Sequence, residues 1–239
     1  MNKKIKIFLS FIFIIAFSYI YASIRVTKTI SAEDKELTKL LKVDDECSTV
    51  NSYQQEIKCI KSVQESQLSI IKGTRCRGKF INLGSKEVFK VNTACCYDRS
   101  RITEQVLQIF GFKVRHVFLN DASNGYLNLL IPRTRSHGAS EVLTSKGWLG
   151  VDSNEKFLLL DKENLPNTYK TAISSGLIYK YSNKPIYNKS VTYVIGLYSR
   201  NGTFFKPYLP FVPELNFNDF FGNLFDLKII NPGINIDYI

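Results

Sequence analysis

The chain has 239 residues, of which 44% are hydrophobic and 13% aromatic, a composition that excludes an intrinsically disordered protein and fits one globular domain with an appendage or two small domains. Its net charge of +11 comes from 32 basic against 21 acidic residues. The basic residues are scattered, with no run longer than Lys3-Lys4, so the charge indicates no nucleic-acid partner and better suits an anionic membrane or an acidic glycan.

The first residues have the pattern of an export signal. Lys3, Lys4 and Lys6 precede a largely apolar, uncharged run over residues 7–24, as in segments that direct a chain into a membrane. This run is near the lower length limit for a bilayer span, and it matches a cleavage site only in part. We therefore predict an N-terminal transmembrane signal anchor over residues 1–28, with an extracytoplasmic domain in the periplasm or at the cell surface. Secretion after signal cleavage is the alternative.

Residues 29–75 have the pattern of a helical region. Ser31 resembles a helix N-cap, and the leucines that follow it recur at helical spacing, at Leu37, Leu40 and Leu41. A second helical pattern covers residues 53–71, and Gly73 ends it.

The five cysteines fit an oxidising compartment. Cys47 and Cys59 bracket a short segment and are predicted to form a disulfide. Cys76 and Cys95 are predicted to form a second, which leaves Cys96 as the odd thiol. There is no Cys-x-x-Cys pair and the chain has only two histidines, so the sequence predicts no metal site and no cofactor.

Residues 76–172 are predicted to form an α+β core. After a mostly irregular stretch over residues 76–91, an amphipathic helix begins at Cys96 and ends at Gly111. The period then changes to short strands separated by turns, at residues 114–118, 126–131, 141–143, 148–152 and 156–160. Helices followed by an antiparallel meander indicate an α+β domain.

Residues 173–239 are predicted to form an aromatic-rich C-terminal extension with strands at 178–181 and 191–197. Its segment 204–211 is a candidate platform for a sugar or a peptide. The alternative is that this segment packs across the domain surface.

Three residues of the core have the order and local context of a catalytic triad. Cys96 opens a helix, where backbone N–H groups and the positive end of the helix dipole favour a thiolate. His137 and Asp152 are separated by a spacing that suits a hairpin, which would bring a base and a carboxylate together. We predict Cys96 as the nucleophile, with Cys95 as the less favoured alternative, His137 as the base and Asp152 as the acid that orients it. His116 is predicted to be structural.

The spacing of these residues resembles the transglutaminase-like core, a branch of the papain-like cysteine enzymes. One block of that core has Cys-x-Asp, a helix, a glycine about 15 residues after the cysteine and an arginine about four later, and the residues that match are Cys96, Asp98, Gly111 and Arg115. A second block has histidine, Glu-Val, tryptophan and aspartate, matched by His137, Glu141, Val142, Trp148 and Asp152. The resemblance covers residues 76–160.

This resemblance implies a catalytic helix packed on an antiparallel sheet and a thiol-dependent acyl transfer, or an amide or peptide hydrolysis. It implies a protein or peptide acyl donor and an amine acceptor, or water in its place. Residues 96–101 (CYDRSR) are also similar to bacterial transglutaminase-like proteins of surface polysaccharide loci, which implies polysaccharide machinery as a partner.

The chain departs from the family pattern at three positions. Ala94, Ala139 and Ser153 stand where the family has a glycine, an aromatic residue and a proline. The missing aromatic residue after His137 and the long aromatic tail leave a second interpretation open. In it, the chain is a non-catalytic envelope protein that uses the same fold to bind a glycan or an assembly partner.

Overall fold

A computed structural model of the chain describes residues 6, 8, 10–17, 26, 28–32, 34–43, 47–74, 84–131, 134–199 and 213–233. The predicted transmembrane helix is wrong, because no helix among these residues is long and apolar enough to cross a membrane. Near the N-terminus, residues 6, 8 and 10–17 are helical. Residues 7, 9 and 18–24 of the predicted run lie outside the described residues.

Three helices with described bounds lie between residue 28 and the core. Helix α1 covers Glu36–Leu41, helix α2 covers Tyr53–Ile70 and helix α3 covers Ser85–Val91. The predicted N-cap at Ser31 is wrong, since α1 begins at Glu36. The Cys47–Cys59 disulfide is present and ties the start of α2 to the chain before it, as the sequence predicts. Cys76 lies outside the described residues, so the second disulfide remains a prediction.

Helix α4 covers Cys96–Ile109 and is the central helix of the fold. It begins after Cys95, whose backbone is extended, and the chain leaves the helix at Gly111, where φ is +87°. Such a φ favours glycine and ends helices. The helix packs against α2 on one side and against the sheet on the other, and its buried face includes Ile102, Val106 and Leu107. The predicted start and end of this helix are confirmed.

The main sheet is antiparallel and has five strands. Chain order gives β1 (Lys72–Gly73) and β2 (Thr93–Ala94), which form a small parallel pair, then β3 (Lys113–Asp121), β4 (Ser136–Thr144), β5 (Gly147–Val151), β6 (Val191–Ile195), β7 (Leu197–Ser199), β8 (Glu214–Leu215) and β9 (Lys228–Ile230). The order across the main sheet is β5-β4-β3-β6-β9, and β7 pairs with β8 separately. The chain is therefore α+β.

Two large cores and one smaller cluster cover the sheet. One large core lies among α1, α2, α4 and strands β3 to β5, and the other is formed by β3, β6 and the segment that contains helix α5, Tyr169–Ser174. The smaller cluster lies among β3, β6, β7 and β8. Residues after 173 thus complete the same sheet, because β6 pairs with β3. A last helix, α6, covers Phe217–Gly222. The candidate aromatic platform at 204–211 lies outside the described residues.

Three predicted strands are absent from the described chain. Residues 126–131 fall largely in the 3-10 helix Gly125–Leu129, and residues 178–181 in the 3-10 helix Leu177–Lys180. The first 3-10 helix begins at Gly125 and the second follows Gly176, and both glycines have a positive φ. In the second, neighbouring Leu177 and Ile178 are both buried, whereas a strand alternates its faces. Residues 156–160 form only isolated bridges.

Candidate functional site

The three predicted triad residues meet at one end of the sheet. Cys96 is the first residue of α4, His137 lies near the start of β4, and Asp152 follows β5 directly. Strands β4 and β5 form an antiparallel hairpin, so His137 and Asp152 come to the same end. The His137 Nε2–H donates to Asp152 Oδ2 at 2.8 Å, and the His137 ring is hydrogen-bonded to the Cys96 side chain.

A glycine allows strand β4 to approach the start of helix α4. A Cβ at Gly138 would lie 3.0 Å from Cα of Tyr97, which is backbone and has little freedom to move. The Gly138 N–H also donates to Cys96 Sγ at 3.4 Å. Ser153 donates its hydroxyl to the Gly138 carbonyl at 2.6 Å. These contacts fix the distance between the thiol and the hairpin.

The Asp152 carboxylate is buried among hydrogen-bond donors, with 1% of its surface exposed. It accepts from His137 Nε2 at 2.8 Å, Tyr187 Oη at 2.5 Å, Tyr169 Oη at 3.2 Å, the Asn154 and Glu155 backbone N–H groups at 2.7 and 2.9 Å, and Lys184 Nζ at 3.4 Å. Burial alone would raise the pKa of Asp152, but the positive charges of His137 and Lys184 and these hydrogen bonds hold it well below its usual range. The carboxylate is therefore ionised.

His137 is the charged partner of that carboxylate. Burial alone would lower the pKa of His137, but Asp152 and, after it, the Cys96 side chain outweigh burial and raise the pKa to about 9. The ring is therefore an imidazolium at neutral pH. Since Nε2 is bound to Asp152, Nδ1 is the nitrogen left for Cys96. A positive ring beside the sulfur favours the thiolate, the form in which cysteine is a nucleophile.

The two neighbouring cysteines have different surroundings. Cys95 is fully buried, and its sulfur lies 3.3 Å from Asp98 Oδ2. The Asp98 carboxyl is also buried, and burial raises its pKa to about 7. Cys96 is only partly buried. Cys96 is therefore the more accessible of the two thiols, and this geometry favours it over Cys95 as the candidate nucleophile.

His116 belongs to a separate buried cluster that contains none of the triad residues. Its Nδ1 lies 2.8 Å from Glu104 Oε1, and its ring stacks on Tyr198 with 4.1 Å between centroids. Glu104 also accepts hydrogen bonds from Ser140 at 2.8 Å and from the Tyr198 hydroxyl at 2.7 Å. The cluster joins α4, β3, β4 and β7, which is a structural role.

Three more residues of the two predicted motif blocks, Arg115, Glu141 and Trp148, brace the sheet. Arg115 Nη2 lies 2.7 Å from Glu141 Oε2, and its guanidinium lies over the Trp148 ring at 4.1 Å from the centroid. Tyr193 of β6 donates to the same carboxylate. These contacts join β3, β4, β5 and β6. The spacing of the two motifs is therefore explained by strand pairing in the sheet as well as by the positions of the triad residues.

Five residues of the site were not predicted from the sequence. Tyr169, Lys184 and Tyr187 contact Asp152, while Arg99 and Asn154 lie beside His137 and Cys96. For Arg99 and Asn154, the only signal in the sequence was their closeness to Cys96 and to Asp152. Tyr169, Lys184 and Tyr187 come from the segment after the predicted hairpin, where no periodic pattern marks them as site residues.

No protein-family model matches this chain, and no curated protein has a significantly similar sequence. Among the residues that the structure describes, no group of three or more His, Cys, Asp or Glu side chains is arranged to hold a metal ion. The interpretation of the site therefore depends on its geometry.

Proposed function

We propose that the chain is a cysteine enzyme that transfers or hydrolyses an acyl group through Cys96, His137 and Asp152. The observation that carries the proposal is a partly exposed thiol in contact with an imidazolium, which is held in turn by a buried, ionised carboxylate. Two of these groups are buried charges, and each is costly to bury without a partner. A chain that only needed a packed core at this point would be served by apolar side chains.

The geometry suits the following reaction. The Cys96 thiolate attacks the carbonyl carbon of a carboxamide or peptide, and the imidazolium gives its proton to the leaving nitrogen as the C–N bond breaks. A thioester on Cys96 remains. An amine or water then attacks the thioester, His137 takes the proton of that nucleophile, and the thiolate leaves. Asp152 holds the ring in one orientation and stabilises its charged form throughout.

The disulfide supports a place for this activity outside the cytoplasm. Cys47 and Cys59 are joined, and such bonds persist mainly in oxidising compartments. We propose that the chain acts in the cell envelope or after secretion, on a protein or peptide acyl donor. An amine acceptor would make it a cross-linking enzyme, and surface polysaccharide machinery is the proposed setting.

Alkylation by iodoacetamide at pH 5.5 to 9, followed by mass spectrometry of each cysteine, tests the proposal. We expect Cys96 to be labelled rapidly at pH 5.5 and Cys95, a matched internal control in the same peptide, to stay unlabelled. The His137→Gln variant should lose the rapid labelling, whereas His116 is outside the triad and its substitution by Gln should leave the labelling of any folded protein intact. A Cys96 that titrates as an ordinary thiol, with a rate that His137→Gln leaves unchanged, would contradict the proposal and favour a binding protein.

A further inference from the structure

A buried arginine and a partly exposed asparagine lie beside the catalytic pair. Arg99 is three residues after Cys96, on the same face of α4, and is 4% exposed. Its Nη1 donates to Asn154 Oδ1 at 2.8 Å. Asn154 Nδ2 in turn lies 3.5 Å from His137 Nδ1. The triad chemistry described above assigns no role to either residue.

The contact with Arg99 fixes which way the Asn154 amide points. A guanidinium has only donors, so the Asn154 atom that faces it must be the oxygen. The amide nitrogen, with its two N–H donors, therefore faces His137 Nδ1. Because Nε2 is bound to Asp152, Nδ1 is also the side of the ring that serves Cys96. The Asn154 donors are thus directed to the place where a bound carbonyl would be attacked.

The Asn154 amide is held rigidly. The Asn154 backbone N–H donates to Asp152 Oδ1 at 2.7 Å, and the side chain is held by Arg99. The guanidinium has space because residue 73 is a glycine: a Cβ at Gly73 would lie 2.5 Å from Arg99 Nη1. Donors fixed before the reaction stabilise developing charge without the cost of reorganisation.

Two donors face each other across this gap. With His137 charged, Nδ1 carries a proton, as does Asn154 Nδ2, and neither can accept a hydrogen bond from the other. A hydrogen bond between them would require a neutral ring, whereas the pKa of His137 is raised to about 9. The Nδ1 proton is directed to Cys96, so the Asn154 N–H groups find no acceptor on the charged ring. This arrangement suits an incoming anionic oxygen.

We propose that Asn154 is a further catalytic residue, whose Nδ2 donates to the oxyanion formed when Cys96 attacks a carbonyl, and that Arg99 is the positioning residue that holds its amide. The inference rests on the proposed acyl transfer. In the step concerned, the sulfur–carbon bond forms, the carbonyl π electrons move to the oxygen, and Asn154 stabilises the negative charge until the leaving group departs.

Two reactions of the same thiolate separate this role from others. Alkylation by iodoacetamide displaces iodide from a saturated carbon and forms no oxyanion, whereas acylation by p-nitrophenyl acetate passes through one and releases p-nitrophenolate. We expect Asn154→Ala to leave the alkylation rate at pH 6 within about twofold of the wild type and to slow acylation about 100-fold, the effect of losing one oxyanion donor. Asn167→Ala removes an equally half-buried asparagine outside the site and should change neither rate.

Arg99→Lys is the second variant, and it keeps the charge while losing the planar fork that orients the amide. We expect its acylation to fall and its alkylation to persist, with the kcat for ester turnover reduced more than KM is changed. If Asn154→Ala is acylated at the wild-type rate, the assignment is overturned. An equal fall in the acylation and alkylation rates would also overturn it, since that result would mean that Asn154 only holds His137. If the wild type is alkylated rapidly at Cys96 but never acylated, the proposed function itself fails. If the wild type is acylated and only the Asn154 result differs from expectation, the assignment of Asn154 fails and the proposed function stands.

Discussion

The charge of Asp152 sets the protonation state of His137, and the Asp152→Asn variant tests this. Burial would lower the pKa of His137, whereas Asp152 and Cys96 raise it from 6.5 to about 9. That rise corresponds to roughly 3 kcal/mol, because one pKa unit is worth about 1.4 kcal/mol. The variant keeps the shape of the side chain and removes its charge. We therefore expect the pKa of His137 to fall by about 2 units, the effect of losing an opposite charge in contact.

The measurement is a pH titration of the histidine ring signals by NMR. The chain has only two histidines, so comparison with the His137→Gln variant assigns the signal. Cys96→Ala is the matched control, and it should lower the pKa of His137 less than Asp152→Asn, because Asp152 has the larger influence on the ring. The reasoning is refuted if His137 of the wild type titrates near 6.5, or if it still titrates near 9 in Asp152→Asn.

The same raised pKa makes the stability of the fold depend on pH. A histidine whose pKa is higher in the folded than in the unfolded chain stabilises the fold while it is protonated. The contribution is complete below pH 6.5 and is lost as the pH rises through about 9. Urea denaturation of the wild type should therefore show a loss of roughly 3 kcal/mol between pH 6 and pH 10 that is missing from the His137→Gln variant.

Three further predictions concern the parts that hold the site. Gly138→Ala should push β4 from the backbone of α4 and slow alkylation of the triad thiol at pH 6 at least tenfold, whereas Gly222→Ala, where a Cβ meets nothing within 4 Å, should not. Tyr187→Phe should lower the free energy of unfolding by about 1.5 to 3 kcal/mol, the worth of a hydrogen bond to a charged group, and Tyr169→Phe should cost less because its bond to the carboxylate is 3.2 Å rather than 2.5 Å; equal losses in thermal denaturation would contradict this. Cys59→Ala opens a disulfide that spans 12 residues and should cost roughly 3 kcal/mol in urea denaturation without reductant.

The sequence was informative where signals are local. Helix α4 could be predicted in full because its apolar period, its start and its closing glycine all lie within one short stretch. The hairpin that carries His137 and Asp152 followed from alternation and a turn. In contrast, helix α3 buries a single residue, Val88, so it has almost no apolar period to detect.

The parts that could not be predicted depend on contacts between distant segments. Tyr187 reaches Asp152 across 35 positions of sequence, and Gln64 of α2 donates to the Asp152 carbonyl across 88. Neither residue has a local pattern that distinguishes it from a core tyrosine or a surface glutamine. The N-terminal run was interpreted as a membrane span from its composition and flanking lysines alone, and no helix among the described residues is long and apolar enough for one.

The donors around Asp152 link the chemistry of the site to the stability of the fold. An ionised carboxylate in a dry interior is tolerated only when its partners offset the lost hydration, and removing one partner from such a cluster costs about 3 to 5 kcal/mol. Here the partners of the carboxylate come from the turn after β5, from α5 and from the segment that leads to β6, and Gln64 of α2 holds the Asp152 main-chain carbonyl. We therefore expect the charge that orients His137 to depend on both large cores being assembled on the sheet. We also expect the raised pKa of His137 to be lost in a fragment that contains only α4 to the turn after β5.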